Sequence, residues 1–245
     1  MKLKNYLFLL PILFMFNACK KAAVTKPVSF TSTVYQNLGT FSVTGRPDYL
    51  ISPDTVSSSI LSFISGTLPD GQDLTKSHPE FFNSSAIADV TIAQPSDVYI
   101  TFVKEGCRYT NSLAFYTYPT GQSPTSAQDI KLITYVFPNS GNRTPLDPGD
   151  KVKLGKFDTG TSIGFVLMQD AWDTTARVLN NNAVHFCTND ALNPEVDPNL
   201  KKHAVLINYA PENKLLIGFE DTNRTDSQCD NDFNDVVIYC TVTPR

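Results

Sequence analysis

From Asp89 onward the chain alternates between short apolar runs and clusters of turn-forming residues. DVTIA, SDVYITFV, SLAFYTY, KLITYVF, KVKLGKF, SIGFVLM, AVHFC, HAVLINY, KLLIGF and VVIYCTV each have the length and the β-branched or aromatic content of a strand. Pro119-Thr120-Gly121, Pro138-Asn139-Ser140-Gly141 and Asp147-Pro148-Gly149-Asp150 punctuate them as turns. About ten strands without intervening helices predict an all-β chain, a two-sheet β-sandwich of jelly-roll type or a closed barrel, and we take the sandwich as the expectation. SDVYITFV and SIGFVLM are apolar at most positions, so they are expected to lie centrally with both faces covered.

Upstream, SFTSTVY from Ser29 alternates like a strand. One short N-terminal helix is predicted after it. Ser52 can cap it, Pro53 suits its first turn, and Val56, Ile60, Phe63 and Ile64 recur at helical spacing until Pro69-Asp70-Gly71 ends the region. The organisation expected is a segment over 28–94 that packs on or extends a sandwich over 95–245. No sustained repeat or low-complexity tract interrupts it.

The first 18 residues read as an export signal, with Lys2 and Lys4 ahead of an apolar core from Tyr6 to Phe16. The run is too short for a spanning helix. Asn17 and Ala18 lead to Cys19, and a small residue directly before a cysteine looks like a bacterial lipoprotein cleavage site, although Phe16 fits it less well than leucine. Cleavage there makes Cys19 a lipidated N-terminus, followed by a short tether over 19–27. A plain secretory peptide with an incidental cysteine is the alternative. Lys20 is not a retention residue of the aspartate type, so an outer-membrane lipoprotein is expected, at the cell surface or on the periplasmic face.

Charged residues are 18% of the chain, and the net charge of −4 becomes about −6 once Lys2 and Lys4 are removed. That balance argues against nucleic acid and anionic membrane surfaces as partners. Cys107, Cys187, Cys229 and Cys240 have no CxxC spacing, which argues against zinc. Export permits disulfides, with three possible connectivities, and four buried thiols are an equal alternative.

The acidic residues are not spread evenly. Glu220, Asp221, Asp226, Asp230, Asp232 and Asp235 lie between KLLIGF and VVIYCTV, with Arg224 the one base among them. A loop of roughly 16 residues between two apolar strands is uncommon unless it is functional or held by something. Mutual repulsion of its carboxylates needs an offset, and calcium, which takes six to eight oxygen ligands, is the expected one. Asp230, Asp232 and Asn234 follow the D-x-D-x-N opening of an EF-hand. The remainder departs from it: Asp235 stands where glycine is required, no closing glutamate follows, and a strand comes next. The pattern is a calcium-type loop in a β context. Magnesium, which keeps several waters, suits it less, and a solvated acidic loop is the alternative.

These residues also carry a resemblance. GFED followed by DNDFNDVVIY resembles the C-terminal hallmark of domain-of-unknown-function family 4114, found in bacterial surface proteins and often accompanying LruC domains. Further segments match in order: Pro47-Asp48-Tyr49-Leu50, VYITFVKEG, NSLAFYTY, FPNS, LDPGDKVKLGKFDTGTSIGF, LNPE and HAVLINY, spanning about Pro47 to Pro244. The resemblance implies an extracellular β-sandwich that binds calcium through Glu220, Asp221, Asp230, Asp232, Asn234 and Asp235. Cys107 and Cys187 depart from the family pattern, and together they suggest an extra disulfide. Glu105 and Asn111 recur in that pattern and either support the metal loop or fix a turn. The resemblance supplies a site and no reaction.

Catalysis is not expected. His78, His185 and His203 accompany no G-x-S-x-G or HExxH pattern. His203 opens a strand near the acidic loop, as a support behind the metal ligands or a structural histidine. Trp172 is either a sugar-contacting ring or core packing. The functional expectation is a calcium-stabilised module that binds a glycan or an extracellular protein in the manner of an adhesin. The alternatives are a structural component of an envelope assembly and, less well supported, a glycoside hydrolase.

Overall fold

The computed structural model describes residues 29–83 and 86–245. The signal segment, Cys19 and the tether lie outside the described residues. Among the described residues no helix is long and apolar enough to cross a membrane.

Among the described residues, thirteen strands and two short α-helices follow one another as β1 (Val34–Asn37), α1 (Ser58–Thr67), α2 (Leu74–Ser77), β2 (Val90–Thr91), β3 (Ser96–Glu105), β4 (Ser112–Pro119) and β5 (Leu132–Phe137). Then come β6 (Lys151–Phe157), β7 (Thr161–Gln169), β8 (Trp172–Asp173), β9 (Val178–Leu179), β10 (Val184–Cys187), β11 (Ala204–Tyr209), β12 (Lys214–Phe219) and β13 (Val236–Pro244). They form an all-β two-sheet sandwich. One sheet runs β1-β5-β4-β7-β10, with β2 also on β7; the other runs β11-β12-β13-β3-β6; β8 and β9 make a separate ribbon. Each apolar run read as a strand from Asp89 onward is one.

Between the sheets pack Val98, Ile100 and Phe102 of β3, Phe165 and Leu167 of β7, Ile217 and Phe219 of β12, and Val236 and Ile238 of β13. The alternate residues of the same strands are buried too. Val103, Leu216, Val237 and Tyr239 face outward onto Ile60, Ile64 and Leu68 of the α1 region. Ala114, Tyr116, Val166 and Met168 pack outside the other sheet with Phe30, Ile130 and Leu192. Both faces of the central strands are therefore covered, which is why β3 and β7 read as continuous apolar runs rather than as alternating ones.

The helix differs from its expected start. Ser57, not Ser52, is the cap, its side chain accepting the Ile60 N–H at 3.1 Å. The Ser52–Asp54 stretch is held extended instead: the Ile51 N–H donates to the Lys151 carbonyl at 2.9 Å and the Asp54 N–H to the Gly149 carbonyl at 2.9 Å. Those tertiary bonds outcompete the local helical signal of Ser52-Pro53. The first strand likewise begins at Val34 rather than Ser29, and it pairs in parallel with β5. Cys107, Cys187, Cys229 and Cys240 are all free thiols, so the disulfide suggested for Cys107 and Cys187 does not form.

Candidate metal centre

β12 and β13 are paired, with Phe219 opposite Val236, so the acidic loop leaves and re-enters the sheet at one place. That brings Glu220 and Asp221 beside Asp235, although they lie at opposite ends of the loop. The Asp235 N–H donates to the Phe219 carbonyl at 3.1 Å, and the Asp221 N–H donates to Asp235 Oδ2 at 2.7 Å. The Gly106 N–H at the end of β3 donates to the Asp235 carbonyl at 2.9 Å.

The opposite side of the loop is clamped by the turn between α1 and α2. The Gly71 N–H donates to Asp232 Oδ2 at 2.8 Å and the Leu74 N–H to the Asn231 carbonyl at 2.9 Å. Asn234 directs its Nδ2 to the Leu68 carbonyl at 3.4 Å. Asn231 and Phe233 hold left-handed backbone, φ 60° and 56°, which is costly for a bulky residue such as phenylalanine. Burial of the Phe233 ring, edge-on to Phe82 at 5.3 Å, offsets that cost. Gly218 is required beneath it, because a Cβ there would stand 2.3 Å from the Phe233 carbonyl oxygen.

Five carboxylates converge as a result. Glu220, Asp230 and Asp232 form one group in which the ligand oxygens lie within 4.8 Å of one another; Glu220, Asp221 and Asp235 form a second. Glu220 belongs to both. Glu220, Asp221 and Asp232 are each only 2% exposed, Asp235 is half-buried and Asp230 is exposed. A cavity of ≈ 130 Å³ opens among Glu220, Asp221, Asp230 and Asp235, with Gly106 and Tyr109 on its wall.

The electrostatics are those of uncompensated charge. Burial, then the Asp230 charge, pushes Glu220 up to about 7. Burial, then Asp221 and Glu220, pushes Asp235 up to about 10. Burial also raises Asp221 and Asp232. Among the described residues none of the five is ion-paired to a lysine, arginine or histidine. Arg224 feels the Glu220 charge but forms no direct ion pair with the five: its Nε donates to Asn231 Oδ1 at 2.7 Å and its Nη1 to the Asn199 and Lys202 carbonyls at 3.3 and 3.2 Å. Glu220 Oε2 is buried and has no hydrogen-bond partner.

Of the three residues expected behind the ligands, two touch the loop. Buried Asn111 donates from Nδ2 to Asp221 Oδ2 at 2.6 Å, and its Oδ1 accepts the Asp170 N–H at 3.1 Å. Fully buried His203 holds the Glu220 backbone carbonyl through Nδ1 at 3.0 Å, not the carboxylate. Glu105 stays apart from both groups, its Oε2 accepting the Cys107 N–H at 3.2 Å. Sequence reasoning missed three supports. Glu195 is buried and bonds His203 Nε2 through Oε1 at 2.8 Å; Gln169 Nε2 donates to the Asp221 carbonyl at 2.8 Å; and the Gly71 turn anchors Asp232. Glu195 lies in the LNPE segment and Gly71 in a recognised turn, but neither carries a sign of which loop it meets.

The donors are oxygens, and neither Cys107 nor Cys229 enters either group. Such a set fits a hard divalent cation and not a thiophilic one. Fold and site together define an all-β sandwich with a buried carboxylate cluster able to hold a metal ion. Residues 157–243 match the family model described as a domain of unknown function (DUF4114), the family that the sequence resembles. The match takes in β7 to β13 and the whole acidic loop; the ordered segments upstream of residue 157 lie outside it. Comparison with curated proteins and with solved structures gave no match.

Proposed function

We propose that this chain is a cell-envelope lipoprotein, anchored through Cys19, whose β-sandwich binds calcium at Glu220, Asp221, Asp230, Asp232 and Asp235 and presents a surface for a glycan or an extracellular protein. One observation carries the calcium reading: largely buried carboxylates converge on Glu220, and among the described residues no cationic side chain is ion-paired to them. When bound, the ion supplies that balance and joins β12, β13 and the α1–α2 turn into one rigid unit. Asn234 supports the loop by donating from Nδ2 to the Leu68 carbonyl, which leaves its Oδ1 as a further candidate ligand. The carboxylates meet at one place instead of facing each other across a cleft, so the reading is non-catalytic.

The ligand surface is read from the other sheet. Trp172 is buried, its ring edge-on to Phe41 at 5.7 Å, and is core packing rather than a sugar platform. A cavity of ≈ 270 Å³ beside it is lined by Tyr35, Phe41, Tyr135, Arg177 and Asn181. The half-exposed rings of Tyr35 and Phe41, next to amide and guanidinium groups, suit a sugar's apolar faces and hydroxyls. A glycan and matrix-protein array, run with calcium and with chelator, tests this. Calcium-dependent capture that Tyr35→Ala weakens is expected. Absence of capture in both conditions contradicts the ligand reading and favours a structural role in an envelope assembly.

A further inference from the structure

The carboxylates of the loop fall into two groups, and the division has a consequence for how many ions the loop takes. Calcium–oxygen bonds are about 2.3–2.6 Å, so two ligand atoms on one ion lie at most about 5 Å apart. Glu220, Asp230 and Asp232 meet that limit together, and so do Glu220, Asp221 and Asp235. The five form two such groups rather than one. The pairs Asp230–Asp232 and Asp221–Asp235 also arise from different structural devices. The first is set by the Gly71 N–H on Asp232 Oδ2 at 2.8 Å, the second by the strand exit, where the Asp221 N–H meets Asp235 Oδ2 at 2.7 Å.

Glu220 stands between them. Its side chain is only 2% exposed and its Oε2 has no hydrogen-bond partner. Its Oε1 accepts the Thr222 N–H at 3.4 Å, a long contact, and the Cys229 thiol also bonds the carboxylate. A buried carboxylate with one oxygen unpartnered is costly, and a carboxylate that bridges two cations has both oxygens used. Charge points the same way: one divalent ion leaves about three of the five negative charges uncompensated in a largely buried site, and two leave about one.

We propose that the loop binds two calcium ions, with Glu220 bridging them, Asp230 and Asp232 completing one site, and Asp221 and Asp235 the other. The inference rests on the calcium reading above and adds a stoichiometry and a division of residues to it. Asp230 is exposed, so Asp230→Asn alters one site with little threat to folding.

Native mass spectrometry of the purified full chain, stripped with chelator and titrated with calcium alone, separates the possibilities. Two ions per chain are expected. One ion per chain overturns the bridged pair and leaves the calcium reading intact; none overturns the calcium reading itself. Asp230→Asn is then expected to retain one ion with its affinity changed less than tenfold. Retention of both ions, or loss of both, overturns the division of residues. Luminescence of terbium substituted for calcium gives a readout independent of mass, with bound ions per chain expected to fall from two to one in the same variant.

Discussion

Two carboxylate centres lie against the same strand, β13, and behave in opposite ways. Near its middle, Asp54 accepts hydrogen bonds from Lys151 Nζ at 2.9 Å, Tyr239 Oη at 3.1 Å and Thr101 Oγ1 at 3.1 Å. Burial pushes Asp54 upward, but the hydrogen bond and charge of Lys151, with Tyr239 and Thr101, more than reverse it, and its pKa ends below the usual value. At the start of the same strand Asp235 accepts the Asp221 N–H at 2.7 Å but has no cationic partner, and burial, then the Asp221 and Glu220 charges, push it up to about 10. The Asp54 centre carries its own countercharge. Among the described residues the carboxylates of the acidic loop have no such ion pair. The contrast sets a loop of carboxylates that could hold a metal ion against a centre paired within the chain.

The comparison needs a buried titrating group that calcium does not touch, and His185 provides it with the largest effect. It stacks on Phe30 at 4.2 Å; its Nδ1–H donates to the Ala183 carbonyl at 2.8 Å and its Nε2 accepts from Tyr35 Oη at 2.8 Å, so the ring is held neutral. Burial lowers its pKa from 6.5 to about 4. A depressed histidine contributes stability that is present above pH 6.5 and is lost as pH falls towards 4. The loss reaches about 3 kcal/mol, at roughly 1.4 kcal/mol per unit. Denaturant unfolding of the wild type and His185→Gln across that window isolates it as the difference between the two slopes, and that difference is expected to be the same with calcium and with chelator.

Next comes Glu220→Gln. At calcium a hundredfold above its Kd, binding stabilises the fold by about 2.7 kcal/mol. The variant is expected to lose that increment in calcium and to equal or exceed the wild type in chelator, since it removes a buried charge. Equal losses in both media would mean that Glu220 acts through packing alone. Gly218→Ala follows, at about 2 kcal/mol, because its Cβ would drive against the Phe233 carbonyl. Its cost is expected in both media, with weakened calcium affinity as the loop shifts, read by calorimetric titration. Smallest is Asp54→Asn, about 1 kcal/mol for a partly exposed ion pair, unchanged by calcium. A calcium-dependent cost there would erase the contrast between the two regions.

Much of the sandwich is legible in the sequence because its strands are punctuated by turn residues and their apolar content marks burial on both faces. KLLIGF and VVIYCTV are β12 and β13, and placing them side by side is enough to predict that Glu220, Asp221 and Asp235 meet. What the sequence does not carry is tertiary. Ser52 looks like a helix cap but is held extended by Lys151 and Gly149, roughly 100 residues away in a chain whose local signals know nothing of them. The ribbon of β8 and β9 has two residues per strand, too few for a periodic pattern. The Gly71 clamp on Asp232 joins a turn to a loop 161 positions later, and Glu195 reaches the loop through His203 and by accepting the Arg224 N–H at 3.3 Å. In the acidic loop itself, the residue types reveal the chemistry, and the division into two groups around Glu220 depends on side-chain geometry alone.

The most direct measurement is a thermal unfolding scan of the full chain in calcium and in excess chelator. A stabilisation of about 2.7 kcal/mol corresponds to a rise in Tm of roughly 5–10 °C for a domain of this size. That rise in calcium, absent in chelator and absent from Glu220→Gln, is the predicted result. Identical melting curves for the wild type in the two media would contradict the account.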